Sequence, residues 1–288
     1  MNKIVSGALI AAFVIPMGIT SCNAHPTSKE KSMTLSDKAV AVLNSIETGD
    51  QQAISYINPK EYTQHNLAVG DGLAGFGAVL QALPEGSAKV NIIRTFQEGD
   101  FVFTHTEYNF FGPKVGFDLF RFEDGVIVEH WDNLTEKSAQ LNPSGHSQTD
   151  GATQAVDIDK TAENKALVND FVNTILVKGE FDKLADYFDG DHYIQHNPQI
   201  GDGVSGLGKA LEAMAKQGIK MVYSQNHKIL GEGNFVLSIS EGTFADKKSS
   251  FYDLFRIENG KIAEHWDVIE AIPPMSEWKN KNGKFGGL

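Results

Sequence analysis

The hydrophobic and polar positions follow the same order twice along the chain. Each half begins with three helix-like segments and continues with strand-like runs. The predicted helices cover residues 37–47, 51–57 and 75–82, and then 161–178, 181–188 and 207–216. In the helix at 161–178, Leu167, Phe171 and Ile175 recur at helical spacing and so share one face. The second half ends in four predicted strands, at 221–230, 235–244, 250–258 and 261–269.

Turn signals between these runs predict antiparallel pairing. Asp124-Gly125 and Asn259-Gly260 each separate two strand-like runs, and these dipeptides are the ones that two-residue hairpin turns prefer. Helices followed by antiparallel strands predict an α+β fold, with helices packed against a curved antiparallel sheet.

Four short motifs show that the two halves are copies of one domain. Tyr-x-Gln-His-Asn stands at 62–66 and 193–197, and Gly-Asp-Gly stands at 70–72 and 201–203. Asp-Leu-Phe-Arg stands at 118–121 and 253–256, and Glu-His-Trp-Asp stands at 129–132 and 264–267. We therefore predict two tandem domains, at 35–137 and 160–288. Residues 138–159 between them are rich in Ser, Gln, Asn, Thr, Gly and Pro, which predicts a flexible linker.

The start of the chain has the pattern of a bacterial lipoprotein signal peptide at residues 1–22. Lys3 is followed by an apolar or small run from Ile4 to Ile19, and small residues precede Cys22, the single cysteine. We expect cleavage before Cys22, lipid attachment to its sulfur, and a tether at 23–34. The protein would then be anchored in the cell envelope, at the outer membrane or the periplasmic face if the cell has two membranes. The alternative is a plain signal peptide in which Cys22 has no role.

Composition excludes two further classes of site. The net charge is −12 and the chain has no cluster of Lys and Arg, so we expect no nucleic-acid partner. A single cysteine allows neither an internal disulfide nor a zinc site built from Cys-x-x-Cys motifs.

The four repeated motifs resemble those of the SnoaL-like branch of the NTF2-like superfamily. The resemblance implies two tandem cone-shaped α+β barrels, each with a bent sheet wrapped around helices and a pocket inside. It also implies aldol-type cyclisation or a related isomerisation of a small apolar compound, without a metal or another cofactor. Members often pair through the outer face of the sheet, so we expect the two copies to pack as an intramolecular pseudo-dimer.

The candidate catalytic residues lie mainly on the last strand of each copy. Because side chains alternate along a strand, His265 and Asp267 share one face and Glu264 and Trp266 share the other. The resemblance implies that Asp267 points into the pocket and acts as the base, with its pKa raised by desolvation. His265 or His196 would then hydrogen-bond the enolate oxygen. The candidates in the first copy are Asp132, His130 and His65. Alternatively, Asp267 and His265 pair with each other or with Arg256 in a buried polar network.

A second set of residues is predicted to contact the substrate. These residues are Tyr193, Asn197, Trp266 and Asp253, with Tyr62, Asn66, Trp131 and Asp118 in the first copy. Each asparagine could instead satisfy backbone groups where the chain turns. Asp253 and Asp118 could raise the pKa of the neighbouring aspartate.

Two other kinds of site receive less support. His65 with His130, or His196 with His265, could form a metal site with a carboxylate, but no spacing demands it, and we expect no metal. The Gly-x-Gly-x-x-Gly patterns at 70–75 and 201–206 match a dinucleotide fingerprint literally. We reject that interpretation because neither pattern lies in a βαβ unit.

The copies differ where we expect the pocket wall, since His105 aligns with Ile239. The sequence leaves three functions open. One is a cofactor-independent enzyme that acts on a small apolar carbonyl compound. The second is a non-catalytic binding protein for a small apolar ligand. The third is a scaffold for protein interactions.

Overall fold

The computed structural model describes residues 32–288. The predicted signal peptide, Cys22 and most of the predicted tether lie outside these residues. Within the described part, no helix has the length and apolar character that crossing a membrane requires.

The two copies share the order of their elements, except that copy 2 has a 3-10 turn (Phe181–Tyr187) where copy 1 has a second α-helix. Copy 1 consists of α1 (Leu35–Thr48), α2 (Gln51–Ile54), β1 (Thr63–Gln64), α3 (Gly72–Ala82), β2 (Lys89–Glu98), β3 (Phe101–Asn109), β4 (Pro113–Glu123) and β5 (Val126–Glu136). Copy 2 consists of α4 (Thr161–Phe171), β6 (Ile194–Gln195), α5 (Gly203–Lys216), β7 (Met221–Glu232), β8 (Phe235–Phe244), β9 (Lys247–Glu258) and β10 (Lys261–Ala271). A π-helical segment (Val172–Val177) extends α4, and 3-10 turns cover Ile158–Lys160, Phe181–Tyr187 and Met275–Glu277.

Each copy has one five-stranded sheet, which confirms the predicted α+β class. The strand orders are β1-β5-β4-β3-β2 and β6-β10-β9-β8-β7. The four long strands pair antiparallel, and the two-residue strands β1 and β6 add parallel edges that sequence analysis did not predict. Both predicted hairpin turns form, with positive φ at Asp124, Gly125, Asn259 and Gly260.

The helices cover the inner face of each sheet. In copy 1, Ala39, Val42 and Leu43 of α1 are buried against a cluster that includes Phe120 and Ile127. In copy 2, Val168 and Phe171 of α4 pack with Phe255 and Ile262 in the same way. Because these apolar positions recur at helical spacing, they face the sheet together and explain why the helices dock there.

The outer faces of the two sheets share one apolar core. Strand side chains alternate, so the residues between the inward-facing ones point away from the helices. From copy 1 this core contains Phe96, Phe103, Val115, Phe117, Leu119 and Trp131, and from copy 2 it contains Leu230, Phe235, Leu237, Ile239, Tyr252, Leu254, Trp266 and Val268. Across it, Nδ2 of Asn133 donates to the carbonyls of Ser250 and Val268.

Two irregular segments cross reciprocally between the copies. The linker arm (residues 138–157) leaves β5 and binds copy 2, where Nδ2 of Asn142 donates to the carbonyls of Gln195 and Ile200. The C-terminal arm (residues 272–288) leaves β10 and binds copy 1, where Asn280 donates to the carbonyls of Asn66 and Val69. The linker composition predicted flexibility, but these contacts hold the linker arm because its polar side chains satisfy buried backbone groups.

Arg94 on β2 joins copy 1 to the linker arm. Its buried guanidinium donates to the carbonyls of Ala152, Thr149 and Asp150, at 3.0, 3.2 and 2.8 Å. It also lies over the ring of Trp266, 4.2 Å from the centroid. Burial lowers the pKa of Arg94 to about 10.

His105, which we expected in a pocket wall, instead lies beside Arg94 on the outer face of its sheet. Nδ1 of His105 lies 2.5 Å from Nη1 of Arg94, and burial, followed by the Arg94 charge, holds the pKa of His105 well below its usual range. The neutral ring can therefore accept a hydrogen bond from Arg94. Ile239, the aligned residue, lies in the shared core.

We predict that Arg94→Ala lowers the free energy of unfolding by about 3 kcal/mol, because it leaves buried carbonyls without a donor. The measurement is urea denaturation followed by circular dichroism. Lys89→Ala on the same strand is the control, since Lys89 pairs with Glu47 at the surface and should matter little. Equal losses in the two variants would contradict the role assigned to Arg94.

Candidate functional site

Copy 2 contains a cavity of about 870 Å³ between the inner face of its sheet and α5. Much of the wall is apolar and includes Phe171, Leu176, Leu207, Met214, Phe255 and Ile269. The polar side chains of the wall include three in and beside β6 and three on β9 and β10, namely Tyr193, Gln195, Asn197, Asp253, His265 and Asp267. A volume of this size, with both apolar and polar groups in its wall, suits a small organic molecule.

The two aspartates of the cavity lie on neighbouring strands. Asp253 on β9 is the direct register partner of Asp267 on β10, and both line the cavity. His265 shares this face because it is two residues from Asp267. The same register pairs Asp118 with Asp132 in copy 1.

A chain of hydrogen bonds fixes His265. Its Nε2 lies 3.0 Å from Oδ1 of Asp253, and its Nδ1 lies 3.1 Å from Oε1 of Gln195. Because both oxygens are acceptors, these contacts suit a ring protonated at both nitrogens. The hydroxyl of Tyr223 lies 3.3 Å from both carboxylate oxygens of Asp253, which is therefore held from two sides.

Asp267 is placed differently from Asp253. Its carboxylate accepts from Nδ2 of Asn197, at 3.0 and 2.8 Å, and it keeps some accessible surface because it faces the cavity. Burial raises the pKa of Asp267, and the negative charge of Asp253 raises it further, while the charge of His265 and the hydrogen bond from Asn197 oppose the rise. Within residues 32–288, no Lys, Arg or His nitrogen forms a salt bridge with this carboxylate.

In copy 1 the corresponding space is occupied by Tyr108. Tyr108 of β3 pairs with Val90 of β2. The matching pair in copy 2 is Gly242 of β8 with Tyr223 of β7. Its hydroxyl donates to Asp118 at 2.7 Å, and its ring lies so close to Gly116 that a Cβ there would come within 2.6 Å of it. Copy 2 makes the corresponding contact to its aspartate with Tyr223 of β7, and Gly242 places no side chain at the position of Tyr108.

Copy 1 also places a lysine near its last-strand aspartate. Asp132 accepts from Nδ2 of Asn66 at 2.7 Å, and Nζ of Lys284, from the C-terminal arm, lies 3.8 Å from the other carboxylate oxygen. Lys284 also pairs with Glu270 at 2.5 Å. His130 lies 3.1 Å from Asp118, and burial raises the pKa of Asp118. Asp118, His130 and Asp132 lie close enough to hold a metal. The Lys284 ammonium, however, already supplies a cation beside Asp132.

Four residues predicted for the site lie on the other side of their sheets. His196 stacks on Trp266 with 4.7 Å between ring centroids and lies 2.8 Å from Glu264. His65 stacks on Trp131 at 4.8 Å and lies 2.9 Å from Glu129. The structure thus separates His196 from His265 and His65 from His130, because the members of each pair face opposite sides of the sheet.

The remaining predicted residues are brought to the inner faces. Tyr193 and Asn197 line the cavity with Asp253, and Tyr62 and Asn66 take the matching places in copy 1. Nε2 of Gln195 donates to the hydroxyl of Tyr193 at 3.1 Å.

The glycine patterns have a packing explanation. Gly75 lies in the first turn of α3, where a Cβ would fall 1.7 Å from the carbonyl oxygen of Gly70. Gly206 stands in the same relation to Gly201, with 2.3 Å. The helix can approach the preceding turn this closely only because these positions carry no side chain.

Sequence reasoning did not identify Gln195 or Tyr223 as site residues. Gln195 belongs to a repeated motif, so repetition was a usable signal. Tyr223 has no such signal, because its counterpart Val90 cannot reach the aspartate. Residues from copy 1 and the linker arm also line the cavity, and no local pattern reveals this; they are Thr135, Glu136, Ser138 and Gln148.

Comparisons with known proteins return structures only. No family model matches the chain, and no curated protein does. IdmH from Streptomyces antibioticus, named "a putative polyketide cyclase", is 21% identical over 35% of this chain and 92% of its own, with a TM-score of 0.31. An NTF2-like protein of unknown function from Cytophaga hutchinsonii is 16% identical over 37% and 94%, with a TM-score of 0.33. A "putative ketosteroid isomerase" from Kribbella flavida is 12% identical over 42% and 90%, with a TM-score of 0.32.

These structures belong to the class of protein that the sequence motifs resemble. All are below 25% identity and below a TM-score of 0.5, and IdmH and the Cytophaga protein match a length close to that of one copy. The case for a function therefore rests on the site itself.

We predict that Asp267→Asn raises the melting temperature at pH 7–8. The raised pKa means that the folded protein favours the protonated carboxyl. This stabilisation is complete below the unfolded pKa of about 3.9 and is lost as the pH rises through the folded pKa. Asparagine resembles the protonated acid at every pH, so the gain should shrink as the pH approaches about 4. Thermal melts across pH measure it, with the exposed Asp182→Asn as control. A gain that is constant with pH would contradict the raised pKa.

Proposed function

We propose that copy 2 is a cofactor-independent enzyme in which Asp267 removes a proton from the carbon beside a carbonyl group. The observation that carries the proposal is the environment of Asp267: a carboxylate with a raised pKa, in a largely apolar cavity, that forms no salt bridge with any residue of the described part of the chain. A base with a pKa raised towards neutrality is suited to this kind of proton transfer.

The wall of the cavity supports a small, largely apolar carbonyl compound as substrate. Apolar side chains of α5 and β10 would contact the body of the ligand, and a few polar groups would orient it. The hydroxyl of Tyr193 accepts from Gln195, which leaves its own proton free to donate to the carbonyl oxygen. Burial raises the pKa of Tyr193 well above its usual range, so this hydroxyl stays protonated.

The step balances within the site. The Asp267 carboxylate takes the α-proton and becomes a carboxylic acid, while the electron pair of the C–H bond forms an enolate. Tyr193 donates a hydrogen bond to the enolate oxygen and so stabilises the negative charge that develops there. Return of the proton to another carbon gives an isomer. Attack of the enolate on a second carbonyl gives an aldol product.

Copy 1 is assigned a supporting role. Tyr108 fills its interior, and Lys284 lies beside Asp132, so this aspartate is poorly placed to act as a base. The pair of variants Asp267→Asn and Asp132→Asn therefore distinguishes the two copies.

We predict that the chain from Asn23 onward catalyses exchange of α-protons for deuterium in small apolar ketones that raise its melting temperature. Asp267→Asn should keep the thermal shift and lose about 10²–10⁴-fold in exchange rate. In the wild type the rate should rise with pH through the raised pKa of Asp267, because only the ionised form accepts a proton. Proton NMR in D₂O measures the exchange.

Two controls make the result decisive. Asp132→Asn should exchange at the wild-type rate, and Ala210→Trp, which introduces a ring into the cavity wall, should abolish both binding and exchange. Ligands that bind without any exchange would overturn the enzyme proposal in favour of a binding protein. The absence of any ligand would favour a scaffold for protein partners.

We also propose that the protein is anchored to the cell envelope through Cys22. The support is the sequence of residues 1–22, in which the single cysteine follows an apolar run that ends in small residues. On expression in a bacterium, the processed wild-type chain should partition into detergent and carry the mass of a lipid on its N-terminal cysteine. Cys22→Ser should stay in the aqueous phase. A processed wild-type chain without added lipid mass would contradict the proposal.

A further inference from the structure

A second cluster of functional side chains lies outside the cavity, where the linker arm crosses copy 2. His146 and Asp150 of the arm meet His196, which follows β6, and one ligand atom of each lies within 4.8 Å of the others. Nδ1 of His196 is 2.7 Å from Oδ1 of Asp150, and Nδ1 of His146 is 3.7 Å from Oδ2 of the same carboxylate. The carbonyl oxygen of Ser147 lies 2.8 Å from Nδ1 of His196.

The outer nitrogen of each histidine is held by a different carboxylate. Nε2 of His196 lies 2.8 Å from Oε1 of Glu264, which is itself bound to Arg256 at 2.5 Å. Nε2 of His146 lies 3.1 Å from Oδ2 of Asp202. This carboxylate–histidine pairing is the arrangement found behind metal-binding histidines. In the metal-free structure Nδ1 of His196 donates to the carbonyl of Ser147, and loss of this proton would leave a lone pair for an ion.

Both Nδ1 atoms therefore point to the same place as a carboxylate. We propose that His146, Asp150 and His196 form a site for a divalent transition-metal ion, with Zn²⁺ as the best match. Two imidazoles and one carboxylate are a recognised zinc donor set, and the carbonyl of Ser147 can supply a fourth oxygen. In a tetrahedral site with bonds near 2.0–2.1 Å, ligand atoms lie about 3.3–3.4 Å apart. The two histidine-to-Asp150 separations, 2.7 and 3.7 Å, lie on either side of this value.

The burial of the three residues fits an accessible but anchored site. The side chain of His196 is 1% exposed and is fixed by stacking on Trp266, whereas those of His146 and Asp150 are 30% and 45% exposed. One ligand is thus rigid and belongs to copy 2, and two approach from the arm on the solvent side. An ion can reach this position without any opening of the domain.

Copy 1 provides an internal comparison. His65 corresponds to His196 and has the same contacts, with Glu129 at Nε2 and the carbonyl of Gly283 at Nδ1. Trp131 donates to the carbonyl of Gly286 as Trp266 donates to that of Asp150, so Gly286 stands where copy 2 has the aspartate. Glycine has no side chain to bind a metal, and the site is therefore restricted to copy 2.

The site is independent of the proton-transfer proposal, because none of its three ligands lines the cavity. Its effect would be on the linker arm, which contributes Ser138 and Gln148 to the cavity wall. A bound ion would fix the arm to copy 2 and hold that part of the wall in place.

The test is calorimetric titration of the metal-free chain from Asn23 onward with Zn²⁺. We expect one ion per chain, with a dissociation constant in the micromolar range or below, and a higher melting temperature in the presence of the ion. The affinity should weaken at lower pH, because the histidine ligands must lose protons to bind. Co²⁺ in the same site should give the visible absorption of a tetrahedral or five-coordinate complex with nitrogen and oxygen ligands.

The variants decide the assignment. His146→Ala and Asp150→Asn should each weaken Zn²⁺ binding at least 10-fold and remove the Co²⁺ absorption, while their metal-free melts show that they are folded. His192→Ala, which removes an exposed histidine elsewhere in copy 2, should bind as wild type does. Absence of binding by the wild type, or equal binding by all three variants, would overturn the site. Neither result would bear on Asp267, whose exchange assay is separate.

Discussion

The packing of the two sheets against each other is the constraint on which the rest of the structure depends. Both outer faces carry large apolar side chains, including Trp131 and Trp266, and a single sheet would expose its whole set to water. Burying these residues contributes on the order of 25 cal/mol per Å² of apolar surface, which is the main driving force available to the pair. Once the outer faces are joined, only the inner faces remain for helices and for a cavity.

The shared core explains how the interiors of the two copies can differ while the packing of one sheet on the other is kept. Outward-facing residues must fit a partner sheet, while inward-facing residues only have to fill or line their own cone. Copy 1 fills its interior with Tyr108 and makes room with Gly116. Copy 2 has Gly242 and Phe251 at these positions and supplies the hydroxyl that holds its aspartate from Tyr223. Similar polar groups thus surround Asp118 and Asp253, and within residues 32–288 the 870 Å³ cavity lies in copy 2, beside Asp267.

Each copy is contacted by the arm that follows the other copy. The linker arm follows copy 1 and binds copy 2, and the C-terminal arm follows copy 2 and binds copy 1. Each arm satisfies carbonyl groups beside the Tyr-x-Gln-His-Asn motif and accepts a hydrogen bond from a buried tryptophan. The arms also distribute charge unequally. The C-terminal arm brings Lys284 to Asp132, whereas the linker arm brings His146 and Asp150 to His196 and contributes to the cavity wall. The functional difference between the copies therefore arises partly from segments outside the repeated domain.

The sequence by itself determined the helical segments and the long strands, the duplication, and the fact that His265 and Asp267 share one face of β10. These follow from spacing along the chain: the 3.6-residue period of a helix, the two-residue period of a strand and the turn chemistry of Asp-Gly and Asn-Gly. Only the tertiary structure decided that His196 lies across the sheet from the cavity, that a polar linker is held by buried carbonyls, and that Lys284 reaches Asp132. These facts depend on contacts between residues that are far apart in the chain. The helix and strand periods describe only neighbouring positions, so they cannot predict which distant residue a side chain will contact.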